Sequence, residues 1–229
     1  MSATADTSDT SDTSDTDDDL RAADGRVPGR RGRATRQRLL ECTAEMLKAS
    51  SYRDLKVIDI ARDAGTSPAT FYQYFGDVQS AILVLAEEMA HDAAKLPDII
   101  RAGSWKGRAG YDRALALVDG FFAFWEEYRG VLRVVDLLTA EGDQRFRQIR
   151  TRLLTGVTDA LADVLADFQR LGKVAAALDP RAEAGVLVTM LAHVAQHRWG
   201  FEFWGIRTTD ARTAMARHVS WGITGQKPR

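Results

Sequence analysis

The chain holds one cysteine, Cys42, in 229 residues, which excludes an internal disulfide and leaves no cysteine cluster for a metal ion. No window approaches the roughly 18 consecutive apolar residues that a membrane-spanning helix needs. The N-terminus has no apolar stretch that could act as a signal peptide, so the cytoplasm is the expected location. Also missing are a strand pattern, any internal repeat of about 20 to 50 residues, and the nucleophile elbow, phosphate loop or paired carboxylates of an enzyme. No catalytic residue, cofactor or metal site is assigned. What the chain does have is 45% hydrophobic composition, enough at this length to fill a core.

Charge is unevenly spread. Residues 1–24 carry eight Asp against Arg21, a balance of −7, so the whole-chain charge of −1 leaves +6 on residues 25–229. The Thr-Ser-Asp repeats of residues 6–17 have too little apolar content to offset the entropy of ordering, and disorder is expected there. Arg26, Arg30, Arg31, Arg33, Arg36 and Arg38 then crowd into thirteen positions. Gly25, Pro28, Gly29 and Gly32 oppose a helix in the first part of that stretch, which predicts a flexible basic arm.

Downstream, helical periodicity dominates. Within 35–49, Leu39, Cys42, Met46 and Leu47 recur at i, i+3, i+7 and i+8, a half-buried helix in which Cys42 reads as a small core residue rather than a nucleophile. Val57, Ile60, Ala61 and Ala64 form a short second helix, ended by Gly65 as a left-handed C-terminal residue. Ser67 is a good N-cap and Pro68 suits the first helical position, so a third helix runs from there to Phe75. Further helices are expected over 78–96, 110–128, 131–138, 141–171, 180–204 and 209–221. The fold class is all-α, an N-terminal three-helix head followed by a larger C-terminal helical bundle.

A short helix, a tight glycine turn and a capped second helix, behind an arginine-rich arm, are what major-groove reading of DNA requires. Phe71 and Phe75, four apart, face the core with Tyr72 beside them. That leaves Pro68, Ala69, Thr70, Gln73 and Tyr74 for the groove, with Ser67 at the cap. Gln73 can pair bidentately with adenine, Pro68, Ala69 and the Thr70 methyl suit thymine methyl groups, and Tyr72 can hydrogen-bond a phosphate.

Over residues 36–90 the chain resembles the TetR family of bacterial regulators. The family's pattern of Ile-Ala, Ala-Gly, Ser and Phe/Leu-Tyr-x-Tyr/His-Phe stands here as Ile60-Ala61, Ala64-Gly65, Ser67 and Phe71-Tyr72-Gln73-Tyr74-Phe75. The resemblance implies an all-helical homodimer of about nine helices per chain, whose two heads bind a palindromic double-stranded DNA operator. The bodies hold an effector pocket in that family, and repression relieved by a hydrophobic small molecule is the implied logic. Two positions depart from the pattern. Lys56 stands where the family has Ser or Thr capping its second helix, and Val78, after Asp77, stands where the family tends to have a backbone-contacting Lys. Lys56, Tyr72 and the arm's Arg30, Arg31 and Arg33 are the expected replacements, the arm in the neighbouring minor groove. The acidic leader either competes with DNA for that arm or simply keeps the chain soluble.

The helix over 110–128 carries Leu115, Val118, Phe121, Phe122 and Trp125, and the one over 180–204 carries Val186, Met190, His193 and His197 as a stripe. Aromatic and methionine walls with a few polar groups describe a small-molecule cavity and, equally, ordinary core. Phe121, Phe122, Trp125, Met190, His193 and His197 are the candidate pocket. His193 and His197 are one turn apart, yet no Glu occupies the His-Glu-x-x-His position, so orienting a ligand or meeting a dimer partner is expected rather than metal binding. Trp199, Phe203, Trp204 and Trp221 fall in the last two helices, which resemble the family's dimerising pair. The expected organisation is a disordered leader and arm over 1–33, a helix-turn-helix domain over 34–80, an effector and dimerisation domain over 81–222, and a flexible tail over 223–229. A regulator without a ligand, or an activator, is the alternative; an enzyme using His193 or His197 as a base is the lesser one.

Overall fold

The computed structural model describes residues 29–225. The acidic leader and its suggested roles lie outside the described residues. Among the described residues every regular element is helical. Two compact units divide between Ile82 and Leu83.

The first unit contains α1 (Arg30–Ala49), a single 3-10 turn (Tyr52–Asp54), α2 (Val57–Asp63), α3 (Pro68–Tyr74) and the start of α4 (Val78–Ala93). Helix α1 begins at Arg30, five residues before the expected start, so Arg30, Arg31 and Arg33 lie in its first turns rather than in a flexible arm. One interior glycine, Gly32, costs only about 1 kcal/mol, and arginine is a good helix former on either side of it. The buried stripe also differs in phase from the expected one. Arg36, Leu39, Leu40, Thr43 and Leu47 are buried, following i, i+3, i+4, i+7 and i+11, whereas Cys42 and Met46 are half-buried. Thr43 fits the core because its hydroxyl donates to the Leu39 carbonyl at 2.8 Å. At the rim, burial first and then the nearby Asp63 and Glu41 push the Cys42 thiol pKa up, which keeps it protonated and unreactive.

Gly65, at φ 66°, ends α2 in a Schellman turn: Thr66 N–H donates to Ala61 O at 2.8 Å and Gly65 N–H to Arg62 O at 3.0 Å. A residue with a Cβ would be strained at this φ. Full burial of Leu39, Leu40, Ile60 and Phe71 then holds the three helices together, each side chain contributing about 1.5 to 3 kcal/mol.

The second unit contains the rest of α4, α5 (Leu96–Arg101), α6 (Gly107–Glu127), α7 (Arg129–Ala140), α8 (Gln144–Arg170), α9 (Pro180–Phe203) and α10 (Thr208–Thr224). The helix expected over 78–96 stops at Ala93, and a separate α5 follows. Pro97 explains the break, since its ring would clash with the Ala93 carbonyl in a continuous helix. Helix α10 runs through Thr224, so the first two residues of the expected tail are helical, and Ile223 is fully buried. Helix α6 packs against α10, and α8 packs against α7 and α9. Trp105 anchors the entry to α6 by donating from Nε1 to the Ile100 carbonyl at 3.0 Å. Gly110 allows that approach, because a Cβ there would sit 2.2 Å from the Trp105 carbonyl oxygen. Among the described residues no helix is long and apolar enough to cross a membrane.

Candidate nucleic-acid interface and ligand cavities

Helix α3 is anchored on one side and open on the other. Ser67 Oγ accepts from Thr70 N–H at 3.2 Å and lies 3.0 Å from Thr70 Oγ1, while Pro68 takes the first helical position, whose N–H would have no intrahelical acceptor. Phe71 and Phe75 are buried with ring centroids 5.4 Å apart. Pro68, Ala69, Tyr72 and Gln73 are exposed, Tyr72 by 53%. Ala69, Tyr72 and Gln73 follow i, i+3 and i+4 and so share one face. Thr70 and Tyr74 are half-buried at its margin. Tyr72 therefore stands on the same exposed face as Ala69 and Gln73.

The cations expected to hold phosphate are all on the surface of this unit. Arg30, Arg31 and Arg33 are exposed in the first turns of α1, and Lys56 is exposed at the N-cap of α2, which makes no side-chain capping bond. Asp77, ahead of Val78, caps α4: its Oδ1 accepts both Ser80 N–H and Ser80 Oγ–H at 2.7 Å. Sequence reasoning missed Arg36, which is 8% exposed with its guanidinium 5.4 Å from the Phe75 ring, supporting the end of α3 from below. Its place four residues before Leu40 and seven before Thr43 was the available signal.

The six candidate pocket residues do not converge on one cavity. Phe121 and Trp125 are buried and stacked, with centroids 5.2 Å apart, and Phe122 is half-buried under the Arg198 guanidinium at 5.6 Å. A cavity of about 170 Å³ is lined by Trp125 and His197 together with Arg129, Leu132, Arg133 and Trp199. Met190 instead lines a groove of about 530 Å³ with Val186, Leu187, His218 and Trp221 on α9 and α10. His193 is exposed, its ring 4.4 Å from that of His197. The stripe of Val186, Met190, His193 and His197 faces outward because Ala184, Leu187, Val188, Leu191, Ala192 and Ala195 supply the buried face of α9.

Two contacts tie the second unit's part of α4 to its neighbours. Tyr128 Oη donates to Asp92 Oδ2 at 2.5 Å, and Arg152 pairs with Glu87. Hydrogen bonds from Lys95 and then Tyr128 hold the Asp92 carboxyl below the usual carboxylate range. Burial first, and then the Asp92 carboxylate, push the Tyr128 phenol above its ordinary value, so it stays a donor.

A capped reading helix behind a Schellman turn, with its aromatic anchors buried and a polar face exposed, defines a helix-turn-helix DNA-binding regulator. The family follows from the whole chain. Residues 39–78 match the model for bacterial regulatory proteins of the tetR family, and residues 96–229 match that for the tetracyclin repressor-like C-terminal domain. The chain belongs to the TetR family of transcription regulators. It is 25% identical over 200 residues to YdgC of Bacillus subtilis strain 168, an uncharacterized HTH-type transcriptional regulator, covering 87% of this chain and 96% of the relative. A TetR-family regulator from Rhodococcus sp. superposes with a TM-score of 0.60 at 20% identity, over 83% of this chain and 99% of that one. FadR of Bacillus subtilis, crystallised with stearoyl-CoA, gives a TM-score of 0.60 at 16% identity, over 83% and 98%. At such identities the likeness is one of fold.

Proposed function

We propose that this regulator is a repressor that binds a palindromic operator as a homodimer and is released by a hydrophobic small molecule. The observation that carries the reading is the exposed face of Ala69, Tyr72 and Gln73 on a capped α3, whose size and chemistry suit base edges in a major groove. Three arginines at the start of α1 oppose that helix's own dipole, an arrangement a phosphate would relieve. Dimerisation is supported by the large apolar groups left exposed on or beside α9 and α10: Val186, Phe203, Trp204 and Trp221. Effector binding in the body favours a conformer in which α4 is displaced, through Tyr128–Asp92 and Arg152–Glu87, and operator affinity falls by the effector's preference for that conformer. The stearoyl-CoA bound by FadR of Bacillus subtilis supports an amphipathic effector.

The test is retardation of the DNA upstream of the protein's own gene in gels with excess competitor, repeated across salt concentrations. Specific binding that weakens steeply with salt is expected. Equal, weak binding to every sequence would overturn the reading.

A further inference from the structure

The cavity between α6, α7 and α9 joins an apolar wall to a cationic rim. Trp125 and Leu132, 4% and 3% exposed, form the wall. Arg129 and Arg133, one turn apart on α7, stand at the rim with His197. No carboxylate lines the cavity. Two neighbouring acids are already engaged: Asp136 takes Arg150 at 2.5 Å and the Gln196 amide at 2.8 Å, and Glu126 pairs with Arg198. Among the described residues neither Arg129 nor Arg133 has an ion-pair partner. The Arg129 guanidinium is instead held 4.1 Å from the Trp199 ring, and the Arg198 guanidinium lies 4.0 Å from the same ring. Arg198 is compensated by Glu126, so the positive charge left over at this indole is that of Arg129, with Arg133 one turn away, and an anion would neutralise it.

We propose that this cavity binds the oxyanion of an amphipathic effector, a carboxylate or phosphate held by Arg129 and Arg133 with the adjoining apolar portion against Trp125 and Leu132. The proposal rests on the effector-controlled reading above and names its ligand class and site. At about 170 Å³ the space is smaller than an ordinary ligand site, so it takes the charged end and the first carbons, leaving the rest of a longer ligand outside. Guanidinium forks match either oxyanion bidentately, and both arginines are exposed at the cavity mouth, where an entering oxyanion meets them.

The test uses the full chain and tryptophan fluorescence, backed by calorimetry. The probes are decanoate, decyl phosphate and 1-naphthoate, with decanol and 1-naphthylmethanol as neutral counterparts. At least one oxyanion is expected to bind saturably and about tenfold or more tighter than the alcohol with the same apolar part. That preference should vanish in R129Q/R133Q, persist in R129K/R133K and persist in the control R101Q. Decanoate binding without decyl phosphate binding identifies a carboxylate; the reverse identifies a phosphate. Equal binding of alcohols and oxyanions, no binding by any probe, or a preference that survives R129Q/R133Q overturns the proposal. If R129Q/R133Q fails to melt cooperatively, the wild-type comparison of oxyanion with alcohol decides alone. Operator retardation by the ligand-free wild type is read in parallel. Its absence counts against the regulator reading, whereas operator binding without any oxyanion preference counts against this site alone.

Discussion

The two units use aromatic side chains in opposite ways. In the first, Phe71 and Phe75 are buried and Tyr72, which carries a hydroxyl, is the exposed member of the cluster. In the second, Phe121, Phe124 and Trp125 are buried, yet Phe203, Trp204 and Trp221 are exposed by 94%, 73% and 48%. An exposed tyrosine among Ala69 and Gln73 suits a wet, polar interface such as nucleic acid. Exposed indoles and phenyls beside Val186 suit a dry contact with another protein surface. The same residue class thus lines a core and two exposed faces; burial separates the core from both, and polar or apolar neighbours separate the faces.

The contrast can be broken at four points. Phe71→Ala removes the anchor under α3 and should cost about 3 to 5 kcal/mol, read by chemical denaturation, with operator binding lost as well. Trp221→Ala tests the proposed dimer face: the proposed dimer should weaken by about 2 kcal/mol or more in analytical ultracentrifugation, with fold content unchanged by circular dichroism. A dimer of unaltered strength would remove α10 from the interface. Ser67→Ala deletes the cap that holds α3 and should destabilise by about 1 kcal/mol. The smallest effect belongs to Tyr128→Phe, roughly 0.5 kcal/mol for one partly exposed hydrogen bond. Its pH signature is more informative. Because Asp92 is held below its ordinary value, its contribution is complete at neutral pH and is lost as the pH falls from about 4 through the depressed value. Tyr128→Phe should reduce the Asp92 share of the acid dependence of the melting temperature, and Asp92→Asn should remove that share, leaving the part due to Asp143.

The reading helix could be placed from sequence because Ser67, Pro68 and Gly65 each have a conformational preference that fixes a boundary, and the structure has each doing that work. The phase of α1 could not, since Arg36 and Thr43 are polar residues that burial accepts only with a ring or a carbonyl to meet them. Helix α9 was harder still: apolar residues lie nearly all round it, so Val186 and Met190 look as much like core as Leu187 and Leu191. With no polar face to set the phase, the sequence leaves the outward stripe open between pocket wall and ordinary core. The rim arginines of the smaller cavity carried no sequence signal, because unpaired charge is a property of the neighbours and not of the residue.

Selection of bound sequences from a random DNA pool, performed with the wild type and with Gln73→Ala, tests the central claim most directly. The wild type should enrich a palindrome whose half-site centres lie about one helical turn apart, and Gln73→Ala should keep the palindrome while losing preference at one base pair in each half-site. No enriched palindrome, or identical preferences in the two proteins, would contradict the assignment of α3 as the reading helix.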